Sequence, residues 1–407
     1  MTRAQTVTST PRAPRIPHRG PLALLVGTHV FVDFHQGAVP AMLPFLVAER
    51  HYSYTAATGI TLAATLLSSL VQPGFGVLTD RHTIRWLVGA GLLVAGAGIG
   101  LSGVGTSYAL TWAAIALSGV GVAAYHPEAT RAARGMAGHS VKGMSFFSVG
   151  GNTGIAIAPL VVTPVLAAWG VGATPLLAIP AVCAFLVLYP LLVRARHRVH
   201  LAQESARRRT PPARPRADDW HRFGWLTGAV TARSICYFGL ASFVALYVIH
   251  HLGASAAVGG AALTVFTGAG AVGNLLGGFV ADRIGRVRTV RLGYVLVLPG
   301  LAAFLLAPGV VVAFVAVVVL GLASFLPFAV HVNLGQDYLP NRIGTASGVT
   351  LGLAMSIGGL AAPVLGTLAD AKGLVAAVAA LAVFPLISLA CSLGLREPAP
   401  PPASAAG

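Results

Sequence analysis

The chain has 407 residues, of which 56% are hydrophobic and only 9% are charged, and its mean hydropathy is +0.78. A soluble globular domain carries about 25% charged residues, so this composition excludes a water-soluble enzyme and a secreted disulfide scaffold. Stretches of about 20 apolar residues recur along the whole chain, which predicts several membrane-spanning helices. The net charge of +16 comes from 27 basic and 11 acidic residues. The basic residues cluster after every second apolar stretch, so they indicate membrane topology and not a nucleic-acid partner.

Two further features of the sequence narrow the class of protein. Cys183, Cys236 and Cys391 each stand alone in an apolar run, so the sequence predicts neither a disulfide nor a metal site. Residues 1–20 are rich in Arg, Pro and Thr and lack an apolar core followed by a cleavage site. We interpret them as a disordered cytoplasmic tail and not as a cleaved signal peptide.

Twelve membrane spans are predicted, in two groups of six. They cover residues 22–48, 54–79, 86–106, 108–128, 142–168, 171–193, 223–250, 256–281, 289–307, 309–333, 345–368 and 372–395. The one long polar insertion, 194–222, is a basic cytoplasmic linker that we expect to lie near anionic lipid. It separates an N-terminal six-helix bundle (21–193) from a C-terminal one (223–396), and 397–407 form a cytoplasmic tail. The predicted fold is an all-α integral membrane protein whose two six-helix halves are pseudo-symmetric.

The positions of the basic residues predict the orientation of the chain in the membrane. With both termini inside, 24 of the 27 Lys and Arg residues lie in the tails and the cytoplasmic loops. Arg50 and Lys372 lie on the opposite side, and Arg233 lies within a span. The positive-inside rule therefore places both termini in the cytoplasm.

An internal repeat supports the division into two halves. The segment 76–85 reads GVLTDRHTIR, and the segment 278–288 reads GFVADRIGRVR. Each follows the second span of its half, and Asp282 comes 202 residues after Asp80. Two related halves around a central basic linker are typical of secondary transporters, whose substrate site lies between the halves.

The second copy of this repeat resembles the loop signature between helices 2 and 3 of the major facilitator superfamily. The first copy is similar but carries Thr83 and Ile84 where glycine and arginine are usual. The resemblance covers essentially the whole chain. It implies a transporter that is a monomer in membrane lipid, needs no cofactor or metal, is not an enzyme, and draws on the proton gradient.

Four other segments resemble the fosmidomycin-resistance subfamily of bacterial efflux transporters. They are His29-x-x-x-Asp33-x-x-Gln36, Gln72-Pro73, His126-Pro127-Glu128-x-x-Arg131 and Val149-Gly150-Gly151-Asn152-x-Gly154. This resemblance implies proton-coupled export of a small drug-like compound, a phosphonate in that subfamily, across the bacterial inner membrane. The chain departs from the superfamily at Ile115, near the usual place of the fourth-helix arginine.

The first span carries the strongest candidate for proton coupling. His29, Asp33, Gln36 and Pro40 follow one another at i, i+4, i+7 and i+11, which places them on one helix face. An ionised carboxylate within a span costs about 2.5–3.5 kcal/mol, so Asp33 is expected to face a wet cavity or a partner. We favour proton coupling by Asp33, with His29 and Gln36 contacting substrate. The alternative is a fixed polar pair of His29 and Asp33 that docks the helix on its neighbours.

Arg233 is the one basic residue inside a predicted span. Its helix corresponds, in the second half, to the first helix of the first half, so Arg233 is expected to face Asp33. A guanidinium suits a phosphonate or carboxylate, which predicts contact with an anionic substrate. The alternative, a structural salt bridge to Asp33, stays open.

Charged residues at the cytoplasmic helix ends are predicted to form gates that break and re-form as the halves rock. They are Asp80, Arg81, Glu128, Arg131, Asp282 and Arg283. His126 lies deeper and is predicted to share proton coupling with Asp33. Asn152 and His331 complete the predicted substrate site.

Three functions compete at this point. The first is a proton-coupled exporter of a small drug-like compound, for which substrate and protons are the partners. The second is an importer of an organic anion or nutrient with the same fold, because nothing in the motifs fixes direction. The third is a membrane sensor that has kept the fold without transporting.

Overall fold

The computed structural model describes residues 18–81, 84–137, 141–206, 217–342, 345–346 and 348–398, and nearly all of them are helical. We number the α-helices in chain order. They are α1 (Arg19–Arg50), α2 (Tyr54–Arg81), α3 (Leu87–Leu101), α4 (Tyr108–Ala137), α5 (Val141–Trp169), α6 (Ile179–Ala206), α7 (Trp220–His250), α8 (Ala256–Ile284), α9 (Arg286–Leu305), α10 (Val310–Phe325), α11 (Phe328–Tyr338), α12 (Ala354–Lys372), α13 (Leu374–Ala380) and α14 (Val383–Ser392). A 3₁₀ turn (Val171–Ala178) leads into α6, and a π turn (Gly348–Leu353) leads into α12.

The predicted spans correspond to these helices. Ten helical segments are long and apolar enough to cross a membrane, and α3 and α12 occupy the two remaining places. The tenth span is bent at Leu326 and Pro327, where α10 passes into α11, and the twelfth consists of α13 and α14. The protein is an all-α membrane protein of the predicted two-half architecture.

Two helices run further than the sequence predicted. α4 continues through Pro127 to Ala137, beyond the predicted end at residue 128, so Arg131 also lies within the helix. Proline is tolerated inside membrane helices because neighbouring groups satisfy the carbonyl it leaves free. α6 continues to Ala206, well into the segment predicted as a linker.

The connection between α8 and α9 explains one element of the repeated motif. Gly285 ends α8 with φ of 93°, a left-handed conformation that residues with a Cβ rarely adopt. Its N–H donates to the Ala281 carbonyl at 3.0 Å, and the next helix begins at once with Arg286. The motif glycine thus permits an abrupt reversal between two spans.

Within the N-terminal half (α1–α6), glycine allows α1 and α5 to pack backbone against backbone. A Cβ at Gly154 would overlap the Val30 carbonyl, and one at Gly37 would lie 2.7 Å from the Ile155 backbone. Small residues at such crossings are the usual means by which membrane helices approach closely. The glycines of the segment 149–154 therefore fix the position of α5 on α1.

The two halves contact each other mainly through α2 with α12 and α5 with α8. Asp370, near the end of α12, accepts hydrogen bonds from the backbone N–H groups of Tyr54 and Thr55 at 2.7 and 2.8 Å. The Thr55 hydroxyl donates to the same carboxylate at 2.5 Å. A carboxylate from the C-terminal half (α7–α14) therefore caps a helix of the N-terminal half, where the helix dipole favours negative charge.

Replacing Asp370 with alanine is expected to loosen the halves at this end, because three donors lose their acceptor. Losing a capping acceptor costs about 0.5–2 kcal/mol. This corresponds to roughly a 2- to 30-fold change in the ratio of molecules with the α2–α12 contact closed to molecules with it open. A cysteine introduced at Thr58, fully buried beside this contact, reports the change through its reaction rate with a water-soluble maleimide. The native cysteines are replaced by serine in this background.

Two variants serve as controls for that measurement. Asp370→Asn keeps a side-chain oxygen for the cap and is expected to change the labelling rate less than Asp370→Ala. Lys372→Ala removes an exposed charge from the same helix end and is expected to change nothing. Equal rates in the wild type and Asp370→Ala would contradict a latching role for Asp370.

Candidate functional site

Three ionisable side chains converge inside the N-terminal half, two from α1 and one from α4. His29 Nε2 lies 3.2 Å from Asp33 Oδ2, and His126 Nε2 lies 3.3 Å from Asp33 Oδ1. The two Nε2 atoms are 3.3 Å from each other. We call His29, Asp33 and His126 the triad.

The second nitrogen of each histidine fixes where its hydrogen lies. His29 Nδ1 is 2.9 Å from the Phe147 carbonyl, and His126 Nδ1 is 2.9 Å from the Val122 carbonyl. A carbonyl oxygen only accepts, so each Nδ1 carries a hydrogen and donates it. In the neutral form, each Nε2 is therefore a lone pair that faces the other histidine and the carboxylate. Among the described residues, Asp33 Oδ1 accepts no hydrogen bond.

The triad is buried near the middle of the bundle. Asp33 is close to the centre of α1, and the side chains of His29 and Asp33 are 7% and 8% exposed. The His126 side chain is 23% exposed, so solvent or a ligand reaches the triad from the α4 side. With both histidines neutral, the two Nε2 lone pairs and the Asp33 carboxylate are acceptors with no donor among them. The triad therefore requires a proton or another cation, because an unpaired buried charge is costly.

Helix α5 closes the triad on its remaining side. A Cβ at Gly151 would overlap Asp33 Oδ2 and lie 2.7 Å from the His29 ring. Phe147, one turn earlier on α5, stacks on the His29 ring with centroids 4.1 Å apart. Only glycine at position 151 lets α5 supply both the stacking ring and the carbonyl.

A second polar cluster lies in the C-terminal half around Arg233 of α7. The Arg233 side chain donates from Nη1 to the Ser324 carbonyl at 3.3 Å and stands over the Phe328 ring at 5.3 Å. Within the described part of the chain, no carboxylate pairs with it and its Nε has no hydrogen-bond partner. A buried guanidinium without a counter-ion is a natural site for an anion.

Neighbouring side chains add further donors to this cluster. Arg233, Tyr294 and Ser324 line one small cavity, together with Cys236, Val297, Pro385 and Ser388. The Tyr294 hydroxyl and His331 Nε2 are 2.8 Å apart. Among the described residues, Ser324 Oγ and His331 Nδ1 have no hydrogen-bond partner. Arg233, Ser324, Tyr294 and His331 form what we call the arginine pocket.

The structure separates residues that the sequence placed in one substrate site. His29, predicted to contact substrate, lies against the Asp33 carboxylate, while Gln36 and Asn152 are half-buried. Arg233 and His331 belong to the arginine pocket of the other half. Asp33 is paired with histidines and not with Arg233. The two clusters are nonetheless neighbours, because α1 contacts α7 and Tyr237 lies within electrostatic range of both Asp33 and Arg233.

The predicted gate residues stay a prediction. Glu128 and Arg131 pair with each other within α4, Arg131 Nη2 lying 2.5 Å from Glu128 Oε2. Asp282 and Arg283 are exposed at the end of α8. The side chains of Asp80 and Arg81 lie outside the described residues.

Three further polar residues gave no signal in the sequence. Tyr294 sits in an apolar stretch of α9, yet its hydroxyl meets His331. His35 is fully buried on the other face of α1, with its nitrogens 2.7 and 3.2 Å from the carbonyls of Phe31 and Leu177. Asp370 sits two residues before a lysine and resembles an ordinary surface charge. Each has a partner that is distant in sequence, namely His331 for Tyr294, Leu177 for His35, and Tyr54 and Thr55 for Asp370, so only the folded chain identifies these contacts.

Comparison with known proteins agrees with this architecture. The sequence model of the Major Facilitator Superfamily matches residues 25–363. A Bacillus subtilis protein described as an uncharacterised MFS-type transporter, YfnC, is 30% identical over 384 residues, which are 91% of each chain. The fosmidomycin resistance protein of Escherichia coli K12 is also 30% identical, over 377 residues and again 91% of each chain.

Solved structures show the same fold at lower identity. A bacterial homologue of the human lysosomal transporter Spinster, in an inward-facing and occupied conformation, matches with a TM-score of 0.70 and 16% identity. The match covers 93% of this chain and 97% of that one. A D-xylose–proton symporter matches with a TM-score of 0.71 and 15% identity, over 94% and 98% of the two chains.

The Gly151→Ala variant tests the packing of α5 on the triad. The added methyl group has to displace the Asp33 carboxylate or the His29 ring, and such overpacking costs about 1–3 kcal/mol. The thermal midpoint of the purified protein in detergent is therefore expected to fall. Gly278→Ala is the matched control, because nothing lies within 4 Å of a Cβ there and alanine favours a helix. Equal midpoints for both variants would show that the triad tolerates the methyl group.

Proposed function

The chain belongs to the major facilitator superfamily, and on this premise we propose that it is a proton-coupled exporter of a small anionic compound of the phosphonate type. It works across the bacterial inner membrane, with both termini in the cytoplasm. The observation that carries the proposal is the pair of clusters inside the bundle. One consists of acceptors that require a cation, and the other of donors that require an anion.

The arginine pocket supports an anionic substrate. The Arg233 guanidinium has its Nε unpartnered, and Ser324 Oγ and His331 Nδ1 are also unpartnered among the described residues. Several donors around one cation match an oxyanion with several acceptor oxygens. In the unliganded protein these buried groups raise the free energy, and a bound oxyanion supplies the missing acceptors.

The triad supports proton coupling through Asp33 and His126. The contacts between each Nε2 and the carboxylate become hydrogen bonds when the Nε2 carries a proton. His126 is the more exposed imidazole, so it exchanges protons with the solvent-accessible side, while His29 holds the carboxylate in place. In this proposal His29 positions the Asp33 carboxylate and does not contact the substrate.

The proposed direction of transport rests on a relative of known name, and the proposed orientation in the membrane rests on the distribution of basic residues. The Escherichia coli protein that is 30% identical over 91% of this chain carries fosmidomycin resistance in its name, which favours export. With the termini in the cytoplasm, as the distribution of basic residues predicts, the Asp370 contact lies on the outer side of the membrane. The contacts between α2 and α12 then close the outer side of the substrate path.

Asp33→Asn is the first variant that tests the proposal. In proteoliposomes loaded with a pH-sensitive dye, a phosphonate substrate is expected to drive a proton flux through the wild-type protein. The amide keeps the shape of Asp33 but removes its charge, so the flux is expected to fall to the level of empty liposomes. His250→Gln, which alters an exposed histidine, is expected to retain the flux. A full flux in Asp33→Asn would refute coupling at the triad.

Arg233→Gln tests the anion site and separates it from a structural role. A charge-assisted hydrogen bond is worth about 1.5–3 kcal/mol, so the KM for a phosphonate is expected to rise roughly 10- to 150-fold. Arg233→Lys keeps the charge without the planar fork and is expected to fall in between. Because Arg233 has no counter-ion among the described residues, its removal is expected to leave the thermal midpoint unchanged or higher. A lower midpoint with an unchanged KM would assign Arg233 to structure.

A further inference from the structure

We propose that the triad is also a binding site for one divalent transition-metal ion, such as zinc. His29, Asp33 and His126 offer two imidazole nitrogens and a carboxylate, a ligand set that suits zinc, cobalt or nickel and does not suit magnesium or calcium. The binding itself does not depend on the proposed function. Its consequence for transport does, because metal and proton would occupy the same place.

The spacing of the ligand atoms fits a tetrahedral ion. Zinc binds histidine nitrogen at about 2.0–2.1 Å, which puts neighbouring tetrahedral ligands roughly 3.3–3.4 Å apart. In the triad, the two Nε2 atoms are 3.3 Å apart, and each lies 3.2 or 3.3 Å from the nearer oxygen of Asp33. Asp33 meets His29 through Oδ2 and His126 through Oδ1, and with one ligand atom taken from each residue, the three atoms lie within 4.8 Å of one another.

The surroundings of the ligands match those of metal-binding histidines. Such a histidine almost always donates its other ring N–H to a carbonyl or carboxylate, which fixes the ring and raises its basicity. His29 does so to Phe147 of α5, and His126 does so to Val122 of α4, both at 2.9 Å. Each Nε2 is thereby left with its lone pair, and the two Nε2 atoms lie 3.3 Å apart. His29 and Asp33 are also four residues apart on a helix, a spacing that brings two ligands to one metal.

The site has a place for a fourth ligand. His29 and Asp33 are almost fully buried, whereas 23% of the His126 side chain is exposed. On the α5 side, Gly151 closes the site, because its position has no room for even a Cβ. A water molecule or a ligand oxygen therefore completes the tetrahedron from the His126 side. We infer an ion that enters and leaves through the same opening as the protons of the proposed function.

Three other histidines lack the surroundings of a metal site. His35, on the same helix, has both nitrogens near backbone carbonyls and is turned away from the triad. His331 bonds to Tyr294 and lies near the Arg233 cation, which repels a metal ion. His250 is exposed. Among the described residues, only the triad gathers three His, Cys, Asp or Glu side chains at metal-ligand spacing.

The proposal is tested by titrating the purified full-length protein with cobalt chloride. One equivalent of cobalt per chain is expected to give the intense visible absorption of a four-coordinate ion, and zinc is expected to displace it. His29→Gln and His126→Gln are each expected to weaken binding at least tenfold, while His250→Gln is expected to bind as the wild type does. A cobalt spectrum that persists in His126→Gln would overturn the proposal.

A second measurement uses only the wild-type protein and so does not depend on a variant folding. X-ray absorption at the zinc edge of the protein loaded with one equivalent is expected to show imidazole scattering from two histidines. A first shell without imidazole would overturn the proposal.

The transport assay separates this proposal from the proposed function. Saturating zinc is expected to stop the phosphonate-driven proton flux in wild-type proteoliposomes. If the triad binds metal but the flux persists, coupling at the triad fails and the metal site stands. If Asp33-dependent flux is present but no metal binds, the metal site fails and the proposed function stands.

Discussion

A carboxylate buried in a bundle that faces lipid must find its counter-charge within the protein. Asp33 lies near the middle of α1, where an unpaired charge would cost about 2.5–3.5 kcal/mol even on insertion scales. Two histidines face Asp33, and they supply this counter-charge only when an Nε2 carries a proton. Each histidine holds its second nitrogen against a backbone carbonyl. This set of partners depends on the positions of α1, α4 and α5, and the glycine at position 151 is the steric condition for it.

The two halves share a fold but differ in their electrostatics. The motif around Asp80 recurs around Asp282, which points to an internal duplication. The buried carboxylate of the first half nevertheless has no counterpart around Arg233, where the described ionisable neighbours are Tyr294, Tyr237, Cys236 and His331. Duplicated backbones retain their packing because glycine and small side chains set it, whereas single substitutions are enough to change the charge inside each half. The asymmetry therefore arises without any change of architecture.

Sequence reasoning predicted the architecture and named His29, Asp33 and His126 as candidate residues, but it assigned His29 to substrate contact and did not predict that the three side chains meet. The spacing of His29 and Asp33 placed both on one face of α1, and the resemblance to a subfamily drew attention to His126. The distances between them depend on how α1 crosses α4, which dozens of small contacts decide together. Contacts between the two halves were harder to predict. Arg233 was expected to face Asp33, but the structure pairs Asp33 with histidines. Nothing in the sequence indicated that Asp370 caps α2. The fourth span was predicted to end at residue 128, directly after Pro127, whereas α4 continues to Ala137. Proline usually ends helices in water, a rule that weakens inside a membrane.

The unsatisfied atoms of the two clusters are what the proposed ligands would require. Lipid offers no hydrogen-bond partner, so a polar atom left unpaired inside a membrane protein costs more than its replacement by an apolar one. In the triad the missing partner is a donor or a cation, since two lone pairs and a carboxylate oxygen face one another. In the arginine pocket the missing partner is an acceptor, since Arg233 Nε, Ser324 Oγ and His331 Nδ1 face no oxygen among the described residues. Selection for stability alone would favour apolar side chains such as leucine or valine at both places. The missing donor in the triad fits a bound cation, and the missing acceptor in the arginine pocket fits a bound anion, as the proposals above require.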